Sequence, residues 1–379
     1  MKSKTIYFVA GEVSADNHGA ALMRSLHKLD SELNFVGRGG PQMQEVAGEQ
    51  FKNWIGEAAV LGLWEVLRKY GYFREQFHET LREIRESKPD AVVLIDYPGF
   101  NLRLARALRA RQQKVIYYIS PQVWAWNRGR IKRMAHFIDL VLCIFPFEVD
   151  LYNQAGLQAS FVGHPMIERL WSRKIDTERD RNLIGIFPGS RSREVRKIFP
   201  IMLEAARELR KHNSNLRFEV AAASEQLARE MKPAIAGLDQ SQKREAILIK
   251  IDETAAIMQG AWAGMIASGS ATLEAAFFRL PFVLIYKVAW PTYVAARLVV
   301  NVKYLGMPNL LADKEVVPEF IQYRAKPNAI VKALQPLIEN ENARERMISE
   351  FDAMVPQLGD IGASERAARA IIEEIESAT

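Results

Sequence analysis

Residues 262–281 read WAGMIASGSATLEAAFFRLP. The apolar run Trp262–Ile266 has the length and composition of a buried strand, and Phe277–Pro281 closes an apolar helix on a proline stop. After the strand come the small residues Ser268, Gly269, Ser270, Ala271 and Thr272, and one turn further in stands Glu274. Removing bulk from a strand–helix corner lets backbone N–H groups approach a ligand, and a helix start adds free donors and the positive end of its dipole, which suits a diphosphate. Ser270 or Thr272 is placed to cap the helix. Glu274 can hold a ribose diol or merely favour the helix dipole, and the corner by itself leaves both readings open.

Outward from this corner, strand and helix patterns alternate. Short β-branched runs occupy 4–10, 33–37, 91–95, 114–119, 139–144 and 158–162, and a second series occupies 183–187, 216–221, 246–250, 262–266 and 282–286. Near-continuous apolar strands alternating with helices imply parallel sheets covered on both faces. The expected fold class is α/β, two doubly wound Rossmann-like domains facing across a cleft. The charged stretch 168–182 shows no strand pattern and reads as the linker, and the end of the chain, 340–377, is helical. The expected domains are 1–172, joined by the C-terminal helix 356–379, and 173–355. In doubly wound sheets ligands bind beyond the carboxyl ends of strands, so those loops are the places to search.

The totals bound the answer. A chain of 379 residues exceeds one ordinary core. Its one cysteine, Cys143, excludes a disulfide framework or a cysteine metal cage and fits a reducing cytosol. The N-terminus MKSKTIYFVAGEVSA imitates a signal peptide, but its apolar core is short and Glu12 and Asp16 follow at once, so a buried first strand is expected. No apolar stretch reaches the length of a membrane span. The net charge of +6 suits an anionic ligand or a membrane surface without demanding nucleic acid.

Five more stretches carry candidate chemistry. In IGIFPGSRSREVRK, 184–197, Gly189 and Ser190 turn the chain and Arg191 sits at the turn, where a guanidinium can bind phosphate oxygens in pairs; Arg193, Arg196 and Lys197 read as a solvated face. In VAGEVSADNHGA, 9–20, Gly11 turns the chain, Glu12 and Ser14 face the cleft, Asp16 or Asn17 caps the helix, and His18 reads as a helix-start residue rather than a base. In VVLIDYPGFN, 92–101, Asp96 ends a buried strand, where desolvation would raise its pKa toward that of a useful base; an Asx-turn is the alternative, and Asn101 is a candidate cap. In YYISPQVWAWNRGRIKR, 117–133, Gln122 follows a strand, and Trp124 and Trp126 among basic residues suit sugar stacking and phosphate attraction better than nucleic acid. In 59–84 a helical stripe from Leu63 to Ile84 is core, while Leu61, Trp64 and Tyr72 fall off it beside Arg68, Lys69 and Arg74. They either dip into an anionic leaflet or serve interdomain packing or a lid, and Gly71 is a candidate break. No Walker A lysine occurs, VGRGGPQ at 36–42 has Gln42 where a dinucleotide fingerprint needs glycine, and no DxD pair is present to hold a metal.

The ordered set AGEVSAD, FVGRGGPQM, IDYPGFN, YISPQVWAWNRGRIKR, FPFE, FVGHP, FPGSRSREV, ASGSATLE and MPNLLA resembles the lipid A disaccharide synthase family, glycosyltransferases of the GT-B fold, over almost the whole chain. The resemblance implies transfer of 2,3-diacylglucosamine from UDP-2,3-diacylglucosamine to 2,3-diacylglucosamine 1-phosphate (lipid X), with inversion, giving a β-1,6 disaccharide 1-phosphate and UDP. It implies no metal and no cofactor, and no nucleic-acid partner. It places the protein on the cytoplasmic face of the inner membrane as a peripheral protein, with a homodimer as one expectation. By position, Asp96 matches the proposed base, Arg191 a diphosphate-contacting arginine, Ser268–Thr272 the nucleotide loop and Glu274 a ribose-binding glutamate, while Glu12, Ser14, Gln122 and Asn309 match cleft residues. Some members carry a second acid in the turn after the aspartate; Gly99 stands there in this chain. Other readings of the same residues are a UDP-N-acetylglucosamine 2-epimerase-like enzyme and a non-catalytic nucleotide-sugar sensor.

Overall fold

The computed structural model describes residues 3–58, 70–126, 129–236, 246–290, 293 and 303–377. The chain divides into two compact units, Met1–Glu168 with Leu358–Thr379, and Arg169–Gln357.

In the first unit seven parallel strands form one sheet: β1 (Thr5–Ala10), β2 (Asn34–Gly39), β3 (Lys52–Asn53), β4 (Ala91–Ile95), β5 (Val115–Tyr118), β6 (Leu140–Cys143) and β7 (Ala159–Phe161), in the order β3-β2-β1-β4-β5-β6-β7. The apolar run near the N-terminus is thus an interior strand, third of the seven and beside the central β4. Its side chains alternate between two cores: Ile6, Phe8 and Ala10 enter one, and Tyr7 and Val9 enter the other. That is the two-sided burial that continuous apolar strands require. Helices α1 (Val13–Leu29), α2 (Pro41–Ala47), α3 (Tyr70–Ser87), α4 (Pro98–Arg109), α5 (Gly129–Met134) and α6 (Pro146–Asn153) are among the elements between the strands. The last helix, Ala363–Glu376, returns to this unit and packs Ala367, Ala368, Ile371 and Ile375 into the β1 core.

In the second unit six parallel strands, β8 (Asp180–Phe187), β9 (Arg217–Ala222), β10 (Ile247–Ile251), β11 (Ala261–Ala267), β12 (Phe282–Tyr286) and β13 (Glu319–Ile321), take the order β10-β9-β8-β11-β12-β13. Both sheets reverse direction of growth at one place, between β1 and β4 and between β8 and β11. Such a switch point opens a crevice where the loops after two adjacent strands diverge.

Some expectations need correction. The stretch 168–182, read as a linker without a strand pattern, holds the end of the helix Met166–Ser172 and the start of β8 at Asp180. Edge strands β3 and β13 span two and three residues, too short to show a period. Gly71 does not end a helix, since α3 runs through it from Tyr70. Among the described residues no helix is long and apolar enough to cross a membrane.

Asp16 does not cap its own helix. It lies inside α1, 2% exposed, and its carboxylate accepts the N–H groups of Gly40 (2.9 Å), Gln42 (3.0 Å) and Met43 (2.9 Å) at the start of α2. A Cβ on Gly40 would lie 2.5 Å from Asp16 Oδ2. The glycine-rich turn at 36–42 is therefore filled by the protein's own carboxylate. That is the physical reason it is no dinucleotide site.

Candidate functional site

The second unit builds its site from two loops at the β8/β11 switch point. β8 ends at Phe187, and the chain turns at Gly189, whose φ of +107° suits glycine alone. Arg191 then precedes helix α7 (Ser192–His212) as its N-cap residue, exposed, with Nη1 3.3 Å from Glu194. An exposed pair of this kind contributes little and is readily exchanged for a ligand. β11 ends at Ala267, and Ser268, Gly269 and Ser270 lead into helix α8 (Ala271–Phe277).

Neither expected cap of α8 forms. Ser270 has helical backbone angles (φ −57°, ψ −28°), which is not the extended geometry of a capping side chain, and the Thr272 hydroxyl donates instead to the Gly269 carbonyl at 2.7 Å. The amides of Thr272, Leu273 and Glu274 are bonded to the carbonyls of Gly269 and Ser270. Backbone donors for a ligand would thus come from the residues ahead of Thr272.

Both loops border one cavity of about 450 Å³, whose walls include Gly189, Ser190, Arg191, Ser268, Gly269, Ser270, Ala271 and Glu274. Arg169 and Arg173 also line it, and Arg169 Nη2 lies 2.9 Å from Glu274 Oε1. These two arginines were missed because they fall in the stretch read as a linker. Their four-residue spacing, one helical turn apart, was the available signal. Thr272 is fully buried behind the loop. Asn309 does not line the cavity: it is fully buried in the helix Met307–Ala312, its amide donates to Val317 O and Glu319 Oε1, and its oxygen accepts from the amides of Val316 and Val317. All its hydrogen-bonding capacity braces the 313–319 segment, so a direct substrate contact is not its role here.

In the first unit, Asp96 follows β4 at the other switch point. Asp96 and Tyr97 both take the left-handed conformation, φ +47° and +51°. Two such non-glycine residues in succession store strain, which neighbours must hold. Asn101 supplies part of the hold. It is fully buried, and rather than capping α4 it donates to the carbonyls of Ile95 (3.2 Å) and Asp96 (2.8 Å), while the Tyr117 hydroxyl also bonds the Asp96 carbonyl. A Cβ on Gly11 would lie 2.5 Å from the Tyr97 ring, so glycine at position 11 lets that ring lie against the β1 loop. Burial pushes the half-buried Asp96 carboxyl up to about 6, the nearby Glu12 carboxylate adds to the rise, and a backbone bond at Tyr97 opposes it. Glu12 and Ser14 are exposed where β1 gives way to α1, and Gln122 is exposed just beyond β5, the neighbour of β4. These residues share the carboxyl rim of one sheet.

Trp124 departs from expectation. Its ring is buried and its indole N–H donates to Glu148 Oε1 at 3.0 Å; the Ser120 hydroxyl reaches the same oxygen at 2.6 Å, and the Phe145 amide reaches Oε2 at 3.2 Å. Burial pushes the Glu148 carboxyl up to about 7. Trp124 thus helps fix the loop that carries Gln122 and is not placed to stack on a sugar. Of the apolar trio, Leu61 and Trp64 lie outside the described residues, and Tyr72 is half-buried, its ring 5.4 Å from that of Phe73.

Comparison with known proteins gives the family and the fold. The lipid-A-disaccharide synthetase family model matches residues 6–371. The chain belongs to the lipid-A-disaccharide synthetase family. A family member from Geobacter sulfurreducens, a lipid-A-disaccharide synthase, is 37% identical over 98% of this chain and 97% of its own length. Solved structures extend the likeness to fold alone. A putative UDP-N-acetylglucosamine 2-epimerase from Listeria monocytogenes superposes with a TM-score of 0.65 at 14% identity, covering 100% of this chain and 98% of that one. CalG4, the calicheamicin glycosyltransferase, gives 0.60 at 13% identity, covering 99% of each. The lipid-A-disaccharide synthetase assignment makes the protein a glycosyltransferase of lipid A biosynthesis with the GT-B fold, and sets the epimerase reading aside.

Proposed function

We propose that the protein transfers 2,3-diacylglucosamine from UDP-2,3-diacylglucosamine to the 6-hydroxyl of 2,3-diacylglucosamine 1-phosphate, releasing UDP and inverting the anomeric centre. The observation that carries this reading is the cavity at the β8/β11 switch point. It combines two small-residue turns, three arginines and the Glu274 carboxylate, which is the chemistry a nucleoside diphosphate needs. In this reading the turns and Arg191 take the diphosphate and Glu274 takes the ribose diol. Arg169, 2.9 Å from Glu274, holds that carboxylate in place.

Asp96 is the base. Its proton affinity, near neutrality, suits removal of a proton from a hydroxyl as that oxygen forms its bond to the anomeric carbon. The bond from that carbon to the diphosphate oxygen breaks, and the electron pair leaves on UDP. Negative charge then grows on the diphosphate, where Arg191 gains more in the transition state than in the ground state. Glu12 raises the Asp96 pKa and so tunes the base. The protein works as a peripheral enzyme on the cytoplasmic face of the inner membrane, with Leu61, Trp64 and Tyr72 as apolar contacts.

The test is incubation of the purified protein with both acylated sugars and mass analysis of the products. A disaccharide 1-phosphate with stoichiometric UDP supports the reading. UDP bound without turnover would favour a sensor and refute it.

A further inference from the structure

A second cavity, of about 560 Å³, lies in the first unit between α4 and α5. Pro98, Leu102 and Arg106, with Gly99 and Arg103, form a stripe at helical spacing along α4; Arg130, Arg133 and Met134 of α5 and then His136 and Phe137 form the opposite wall. The floor is apolar, with Met134 at 1% and Leu102 at 9% exposure. Around it stand four arginines and a histidine, and among the described residues no carboxylate lines the cavity. Arg103, Arg106 and Arg133 are exposed and make no ion pair with a carboxylate among the described residues. Like charges gathered at one rim repel each other unless an anion joins them. Guanidinium groups suit phosphate oxygens in particular, and an apolar floor beneath them suits hydrocarbon. The α4 wall begins at Pro98, two residues after Asp96.

We propose that this pocket binds the phosphate of the acylated acceptor sugar, Arg103, Arg106 and Arg133 holding the phosphate and the apolar floor taking adjacent acyl carbons. The inference rests on the reading of the first unit as the acceptor half. The site selects a phosphorylated acceptor over the same sugar without phosphate and orients it by its anionic end. A guanidinium-rimmed apolar pocket also fits an anionic phospholipid headgroup, so the experiment separates the two sources.

The variant Arg103→Gln/Arg106→Gln/Arg133→Gln is assayed in detergent micelles with 2,3-diacylglucosamine 1-phosphate and with 2,3-diacylglucosamine. The expected result is an acceptor KM raised about tenfold or more for the phosphorylated sugar, little change for the other, and an unchanged donor KM and UDP Kd. An unchanged KM, or an equal rise for both sugars, overturns the proposal. Loss of sedimentation with phosphatidylglycerol vesicles while phosphate selectivity in micelles persists also overturns it, assigning the pocket to membrane lipid. Should the triple variant fold poorly, Arg103→Gln alone must still show the selective KM rise. Failure of the parent protein to make any disaccharide would instead refute the transfer reaction, a separate outcome.

Discussion

Replacement of Asp96 by asparagine should remove activity and add stability together. The carboxyl is held at about 6 in the folded protein against an ordinary 3.8. A rise of about two pH units corresponds to about 3 kcal/mol. The sign follows from proton counting. Between about pH 4 and pH 6 the folded state keeps a proton that the unfolded chain has released, so stability falls as pH rises through that window. Above both values the folded protein carries the full cost of an ionised carboxylate in a partly dry site. Asparagine has no proton to lose, so Asp96→Asn should match the parent near pH 4 and gain progressively, by as much as about 3 kcal/mol, by pH 7. The same change should lower kcat on the order of 10² to 10⁴, the usual worth of a general base. In the parent protein kcat/KM should fall tenfold per pH unit below about 6 as the base is protonated. Urea denaturation of both proteins at pH 4, 5, 6 and 7, with initial rates over the same series, measures all of this. A stability difference that stays constant across the series, or a variant with near-normal turnover, would refute the reasoning.

Arg191→Ala should weaken UDP binding about tenfold to a hundredfold by calorimetry and also lower kcat, because the charge it meets grows during the reaction. Gly11→Ala should lower kcat sharply with intact UDP binding, since the new methyl would displace the Tyr97 ring and with it the Asp96 turn; wild-type kinetics would show that the turn does not depend on that contact. Glu83→Gln should cost about 1.5–3 kcal/mol in urea denaturation, because Arg38, a guanidinium 1% exposed whose Nη2 lies 2.7 Å from Glu83, loses one of its two carboxylates and keeps Glu79 at 3.0 Å. Although burial works against ionisation, hydrogen bonds from Arg38, Lys52 and Tyr7 hold the Glu83 carboxyl down at about 2, so its contribution is present above ordinary carboxylate values and lost only as pH falls toward 2. Serine at Leu61, Trp64 and Tyr72 together should reduce sedimentation with anionic vesicles; unchanged sedimentation would remove them from membrane contact.

The central strands were legible because burial on both faces leaves a run of apolar residues with no interruption, as in Ile6–Ala10 and Val92–Ile95. The loops were legible because glycine and serine at a strand end have few structural uses. What the sequence could not show was which side chain answers which backbone. Asp16 reads as a cap for its own helix, and only the packing of α1 beside α2 reveals that it serves the neighbour. Asn309 and Trp124 look like ligand-facing polar groups until their partners, Glu319 and Glu148, are brought near from 10 and 24 residues away. Short edge strands carry too few residues for any period, and Arg169 and Arg173 lie in a charged stretch where the helix ends at Ser172. Long-range pairing of polar groups is a property of the fold and leaves little trace in local pattern.

The carboxylate lodged at the start of α2 has a meaning for ligand discovery. One half of this enzyme arrives with its own counter-ion already installed, so compounds built to imitate a pyrophosphate find their berth in that half taken by a residue that cannot diffuse away. Mimics of the sugar nucleotide should therefore compete in the other half, and a pyrophosphate analogue should gain nothing at the start of α2.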